Sequence, residues 1–209
     1  MISAHWMAMF IAALAVVYAV PGPDMALILQ TSIGRGRRGG FAAAGGLALA
    51  RAVHVTLSAC GVAALLRGAP WLYDALRYGG AVYLAWIALQ VFRSPVFALP
   101  MAGTAPVMQK PLRAVFIKGL LTNLLNPKAL LFCSVLLPQF VQPGLGPVAW
   151  QMLLLGVLLV ATGACFDLVF TLGAVRIAHW LRRHPLAQAA QRWTFSAVLL
   201  GFALRLSLD

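Results

Sequence analysis

Six stretches of the chain stay apolar for about 20 residues or more, the length a helix needs to cross a hydrocarbon core. They run over about 4–30, 40–66, 71–92, 114–141, 148–175 and 187–206. The few polar residues inside them fall at helical spacing. Arg51, His54 and Ser58 stand at i, i+3 and i+7, with Gly61 close to the same face. Gly163, Asp167 and Thr171 stand at i, i+4 and i+8. Each set makes one polar stripe that is expected to turn inward. Gly45, Gly46, Gly79, Gly80, Gly156 and Gly163 are expected to let helices approach closely. Trp86, Trp150, Trp180 and Trp193 sit near segment ends, where aromatic rings anchor at the membrane interface.

The connections at 34–40, 67–70, 142–147 and 176–185 are short. The one at 93–113 is longer and carries Pro95, Pro100, Gly103, Pro106 and Pro111. It follows the third of six segments, which predicts a 3+3 division. The first half covers about 1–93, the linker about 94–113 and the second half about 114–209, all within a single membrane domain.

Composition supports this reading. Hydrophobic residues make up 62% of the 209 residues and charged ones 10%, against about 45–50% and 25% in soluble domains. That is too little charge for a soluble surface. Lys and Arg exceed Asp and Glu by 16 to 4. In a soluble protein that excess would suggest nucleic acid; here it marks loops held at the cytoplasmic face. The connections after segments one, three and five hold Arg35, Arg37, Arg38, Arg93, Lys110, Arg113, Arg176, Arg182 and Arg183, and the other two hold only Arg67. Nine against one predicts both termini on the outer side of a cytoplasmic (inner) membrane. No Lys or Arg precedes Arg35, so the first segment lacks the positive start of a secretory signal and is expected to be a retained helix.

Other chemistries find little support. Cys60, Cys133 and Cys165 are far apart, without metal-ligand spacing, and are expected to be small core residues. His5, His54, His179 and His184 form no zinc motif. No metal, cofactor or nucleic-acid partner is expected, and no nucleophile–base set suggests an embedded enzyme.

Ionisable residues inside spanning segments cost about 2.5–3.5 kcal/mol each at a helix centre. Asp24, Arg51, Lys128 and Asp167 are therefore expected to pair, to line a polar path, or both. Two of them adjoin helix breaks. The prolines of Pro21-Gly22-Pro23-Asp24 remove donors and clash with the preceding turn. In Asn126-Pro127-Lys128 an N-cap residue precedes a proline favoured at the first helical position. Each reads as one helix ending and a half-helix starting. The two match as a cap-competent residue, a proline and a charge, in segments one and four. With three segments per half, the halves run in opposite directions, the pattern of an inverted-repeat transporter. The expected fold is thus all-α: a polytopic membrane protein of six transmembrane helices in a 3+3 inverted-repeat arrangement, with helices one and four broken. Half-helix starts offer N–H groups to a carboxylate, and freed carbonyls can hold cations.

These motifs carry a family resemblance. With Gly34–Gly40, Gly119–Lys128 and Leu137-Pro138-Gln139-Phe140-Val141, they make the chain resemble the lysine exporter and homoserine/threonine-resistance exporters (LysE/RhtB) over most of its length. The resemblance implies export of amino acids or close derivatives from the cytoplasm, driven by the proton-motive force, as an antiporter. It departs at Ala50-Arg51, where the family typically has a small residue followed by Asn or Asp. Arg51 could select a more acidic solute or neutralise Asp24 or Asp167. The candidate substrate-binding or coupling residues are Pro21, Gly22, Pro23, Asp24, Arg51, His54, Asn123, Asn126, Pro127, Lys128 and Asp167. The expected partners are a small-molecule amino acid, protons or another coupling ion, and the lipid bilayer, with a homodimer as a candidate assembly. The alternatives are an ion or metal exporter of related architecture and a non-transporting structural membrane subunit.

Overall fold

The computed structural model describes residues 3–68, part of 78–93, and 111–208. Helices, short helical turns and their connections account for all of them, with no strand among the described residues. Helix α1 covers Ala4–Ala19 and is capped by Ser3, whose Oγ accepts from the Trp6 amide. It ends because Val20 precedes a proline, which drives Val20 into an extended conformation. Helix α2 starts at Pro23 and runs over Pro23–Gly68, so the break expected at 21–23 is present.

The connection expected at 34–40 is not a loop. Helix continues on both sides of a single non-helical residue, Gly36, with φ 68° and ψ −173°. Only glycine adopts that conformation readily. The arms 23–35 and 37–68 fold toward each other there. A Cβ at Gly39 would lie 2.8 Å from the Thr31 carbonyl oxygen, whereas eight residues of straight helix span about 12 Å.

Helix α3 covers Leu112–Leu124, and α4 covers Pro127–Leu131. Between them Leu125 and Asn126 leave the helix, so the second expected break is also present. The winding then changes to a π segment, Phe132–Leu136, and a 3-10 segment, Leu137–Phe140. The two parts of this broken helix meet at 61°. Helix α5 covers Val148–Arg183 and α6 covers Pro185–Leu208. Here the expected connection at 176–185 shrinks to His184, held out of the helix by Pro185. The described residues between 78 and 93 are helical, while most of the third segment and the 94–110 linker lie outside the described residues.

By length and composition, Pro23–Gly61, which is folded at Gly36, and Val148–Leu181 are apolar enough to cross a membrane, and the bent Leu112–Leu124/Lys128–Phe140 pair makes a third if it is one span. The outer faces fit that setting. On α5, Leu153, Leu154, Val157, Leu168, Val169, Leu172 and Val175 are exposed while Asp167 and Thr171 are buried. A soluble helix would show the reverse. Trp86, Trp150, Trp180 and Trp193 are also exposed. Cys133 is buried, but Cys60 and Cys165 are exposed rather than core residues. Gly61 is exposed as well, so the inward stripe ends at Ser58.

Close backbone approach brings the polar stripes together. Helix α2 packs mainly on α3 and α5. Gly46 lies against the Phe116 carbonyl and the Leu120 amide, and Gly119 lies against the Ala43 carbonyl. Gly156 faces Val55. Side chains at these positions would push the helices apart. Gly79 makes no such contact among the described residues. Two apolar clusters result. One gathers Phe10, Leu14, Phe132, Leu136, Phe140 and Leu159, and the other gathers Met25, Ile28, Leu47, Phe170 and Ala174. The candidate site lies between them.

Candidate functional site

Arg51 is 2% exposed and Asp167 is 3% exposed. Arg51 approaches Asp167 through two nitrogens, Nη1 to Oδ2 at 2.5 Å and Nη2 to Oδ1 at 3.1 Å. Such a paired, planar geometry is the strong form of a carboxylate contact. Arg51 Nη2 also lies 3.5 Å from Asp24 Oδ2. The guanidinium therefore bridges both carboxylates. Two carboxylates with Arg51 and Lys128 sum to zero charge, which suits a bundle interior.

Gly163 makes room for the bridge. A Cβ there would stand 2.7 Å from Arg51 Nη1 and 2.9 Å from Tyr18 Oη. The Tyr18 ring lies 5.0 Å from Arg51 Cζ, within cation–π range. Its hydroxyl donates to the Leu159 carbonyl at 3.1 Å.

Both helix breaks converge on Asp24. Asn123 Nδ2 donates to Asp24 Oδ2 at 2.6 Å, and Asn126 Nδ2 donates to Oδ1 at 3.0 Å. Asn126 is also the N-cap of α4, its Oδ1 accepting from the Lys128 amide at 3.0 Å. This changes one expectation. The Lys128 N–H at the second half-helix start is already taken by Asn126. What Lys128 adds is its ammonium, which donates to the Val20 carbonyl at 3.3 Å. That carbonyl ends α1, so Lys128 ties the second break to the first. Gly22 lies beneath it, and a Cβ there would be 3.8 Å from Nζ. Pro21, Pro23 and Pro127 act through the backbone, setting where helices stop and start.

His54 is buried, with Nε2 3.2 Å from the Asn123 carbonyl. It touches the site through Asn123. One turn beyond Asp167, Thr171 and Ser32 converge on Gly40. At the centre is a partly open cavity of about 40 Å³ lined by Tyr18, Asp24, Arg51, Asn123, Lys128 and Asp167 among others. Asp24 keeps 20% of its side-chain surface and Asp167 keeps 4%. Asp24 is thus the more accessible carboxylate.

The expected residues Gly22, Asp24, Arg51, Asn123, Asn126, Lys128 and Asp167 are brought together. Sequence reasoning missed Tyr18, which lies in an apolar run with no polar neighbour at helical spacing. It placed Gly163 on the inward stripe with Asp167 and among the packing glycines, without the contact to Arg51 and Tyr18 that the glycine admits.

An apolar-faced helical bundle with a charge-balanced polar centre at two helix breaks has the build of a membrane transporter. The chain belongs to the LysE type translocator family, which its residues 15–209 match. Membership makes it a transporter and not an enzyme. An uncharacterized membrane protein of Pseudomonas aeruginosa is 37% identical over 195 residues, 91% of this chain and 89% of that protein. The leucine efflux protein of Salmonella typhimurium is 29% identical over 188 residues, 90% of this chain and 88% of that protein. The homoserine/homoserine lactone efflux protein of the same species is 30% identical over 188 residues, 88% and 87% of the two chains. No solved structure matches the chain.

Proposed function

We propose that the protein is a secondary exporter of amino acids or close derivatives, working across the cytoplasmic membrane as a proton-coupled antiporter. The observation that carries this reading is the Asp24–Arg51–Asp167 bridge, joined through Asn123 and Asn126 to both helix breaks and facing Lys128. A zwitterion needs one place for an ammonium and one for a carboxylate. Asp24, the more accessible carboxylate, takes the ammonium, and the Lys128 ammonium takes the carboxylate. While Asp24 is charged, Arg51 is shared between two acids. When Asp24 is protonated, Arg51 is left to Asp167 alone. That exchange offers a link between proton and substrate. The names of the two efflux relatives support small aliphatic and hydroxylated amino acids as the substrate class.

The scaffold proposed with it has six spans in two inverted halves, both termini outside. Counterflow in proteoliposomes, with labelled amino acids and a pH dye, tests the function. Accumulation of labelled leucine or homoserine, with proton movement opposite to net efflux, is expected. A panel in which no amino acid exchanges would sink the reading. Topology has its own test. In intact cells, an impermeant thiol reagent should reach a cysteine placed at Leu208 and miss one at Gly103, which lies outside the described residues. The opposite labelling inverts the scaffold.

A further inference from the structure

The polar cavity is too small for an amino acid. It holds about 40 Å³, against roughly 300–1,000 Å³ for small-molecule pockets. Loading it requires that it join a larger space, and one lies beside it. A cleft of about 440 Å³ opens to the outside of the bundle. Met25 and Phe170 line both spaces. Both side chains are buried, at 6% and 9% exposure.

Beyond these two residues the cleft follows one face of α5. Phe166, Phe170, Ile177 and Leu181 stand at i, i+4, i+11 and i+15, with Arg176 the charged residue of the wall. An aromatic row leads into it from the polar centre. Tyr18 and Phe166 have ring centroids 5.7 Å apart, and Phe166 and Phe170 have theirs 5.9 Å apart. Each dividing residue also rides on a helical turn that carries a carboxylate of the bridge. Met25 follows Asp24 directly, and Phe170 stands three residues after Asp167. A change at the bridge that shifts either turn therefore moves the wall. Methionine, unbranched with three rotatable bonds, can swing aside at low cost.

We propose that Met25 and Phe170 form a gate between the polar cavity and an entry vestibule, and that the vestibule takes the apolar side chain of an amino acid in transit. The proposal rests on the exporter reading above. Arg176, near the end of α5 whose loop charges assign it to the cytoplasm, draws in the substrate carboxylate. Arg176 and the shared wall with the polar cavity favour a zwitterion over a lipid chain as the occupant.

The test is counterflow in proteoliposomes with Phe170→Ala and Phe170→Trp, read as the rate for phenylalanine divided by the rate for alanine. Pocket-size changes of this kind shift discrimination by about tenfold. The ratio should rise by about that factor in Phe170→Ala and fall in Phe170→Trp. Equal losses for both substrates at a constant ratio would make Phe170 a packing residue and overturn the gate. A second arm places Ile177→Cys in a background of Cys60→Ser, Cys133→Ala and Cys165→Ser, each rate normalised to that of the unlabelled variant. A bulky maleimide at position 177 should block counterflow, and substrate should slow its reaction. Full labelling with undiminished counterflow, or labelling that substrate does not slow, overturns the vestibule and leaves the exporter reading standing. Absence of any amino-acid counterflow in the unlabelled wild type defeats the exporter reading and this proposal together.

Discussion

Asp24→Asn is expected to insert and fold at the wild-type level and to lose net efflux by about tenfold or more, the equivalent of ~1.4 kcal/mol in binding. The geometry explains why folding survives. Asp24 accepts one amide from Asn123 and one from Asn126. An amide in its place turns one acceptor into a donor. Asn126 cannot turn to meet it, because its Oδ1 caps the Lys128 amide. Asn123 can, since its Oδ1 has no hydrogen-bond partner. A flip of that one amide restores the pairing. What cannot be restored is the negative charge, lost to both Arg51 and a substrate ammonium. Exchange of labelled for unlabelled substrate should fall with net efflux. Exchange that persists while net efflux is lost would confine Asp24 to carrying the proton. A variant that folds and exports at the wild-type rate would remove Asp24 from the mechanism.

The second large effect falls on stability. Arg51→Met leaves Asp167 buried beside an apolar side chain, without the two hydrogen bonds it now accepts. Breaking a buried pair from one side costs about 3–5 kcal/mol. The expected result is a marked drop in thermal midpoint in detergent and a low folded yield. Arg51→Met combined with Asp167→Leu removes both charges, and apolar replacement of a buried pair is often neutral or stabilising. The double variant should recover most of the lost stability yet remain inactive, because Asp24 would lack its cation. A single variant as stable as the wild type would mean that the bridge contributes nothing to the fold.

Much of this is legible in the sequence alone. Prolines at 21, 23 and 127 stop helices for local reasons, so both breaks could be read directly from the chain. The inward turn of Arg51, His54 and Ser58 followed from helical periodicity and the cost of polar groups beside lipid. The partners of those groups did not. Arg51 meets Asp167 across 116 residues, and Asn123 meets Asp24 across 99. Nothing local encodes such pairings. Tyr18 was invisible for the same reason. The connection expected at 34–40 is present but tighter than its composition suggests, reduced to Gly36 between two helical arms. Arginines are good helix formers, and the turn needs a positive φ at Gly36 alone. The π and 3-10 segments after α4 likewise leave no periodic mark in a mostly apolar stretch.

The Asn126 amide makes Asp24 and the first turn of α4 one mechanical part. Its oxygen is fixed to Lys128 and its nitrogen to Asp24. Hydrogen bonds weaken steeply once stretched or bent, so α4 cannot slide by an ångström without releasing one end. A ligand that pulls on Asp24 therefore pulls on a lever. The compliance lies further along the same rod, where the winding passes from α to π to 3-10 within residues 127–140. Mixed winding of this kind can trade one hydrogen-bond register for the next a residue at a time. A small force at the carboxylate is thus delivered as torsion at Phe132–Phe140, a segment that itself packs on α2.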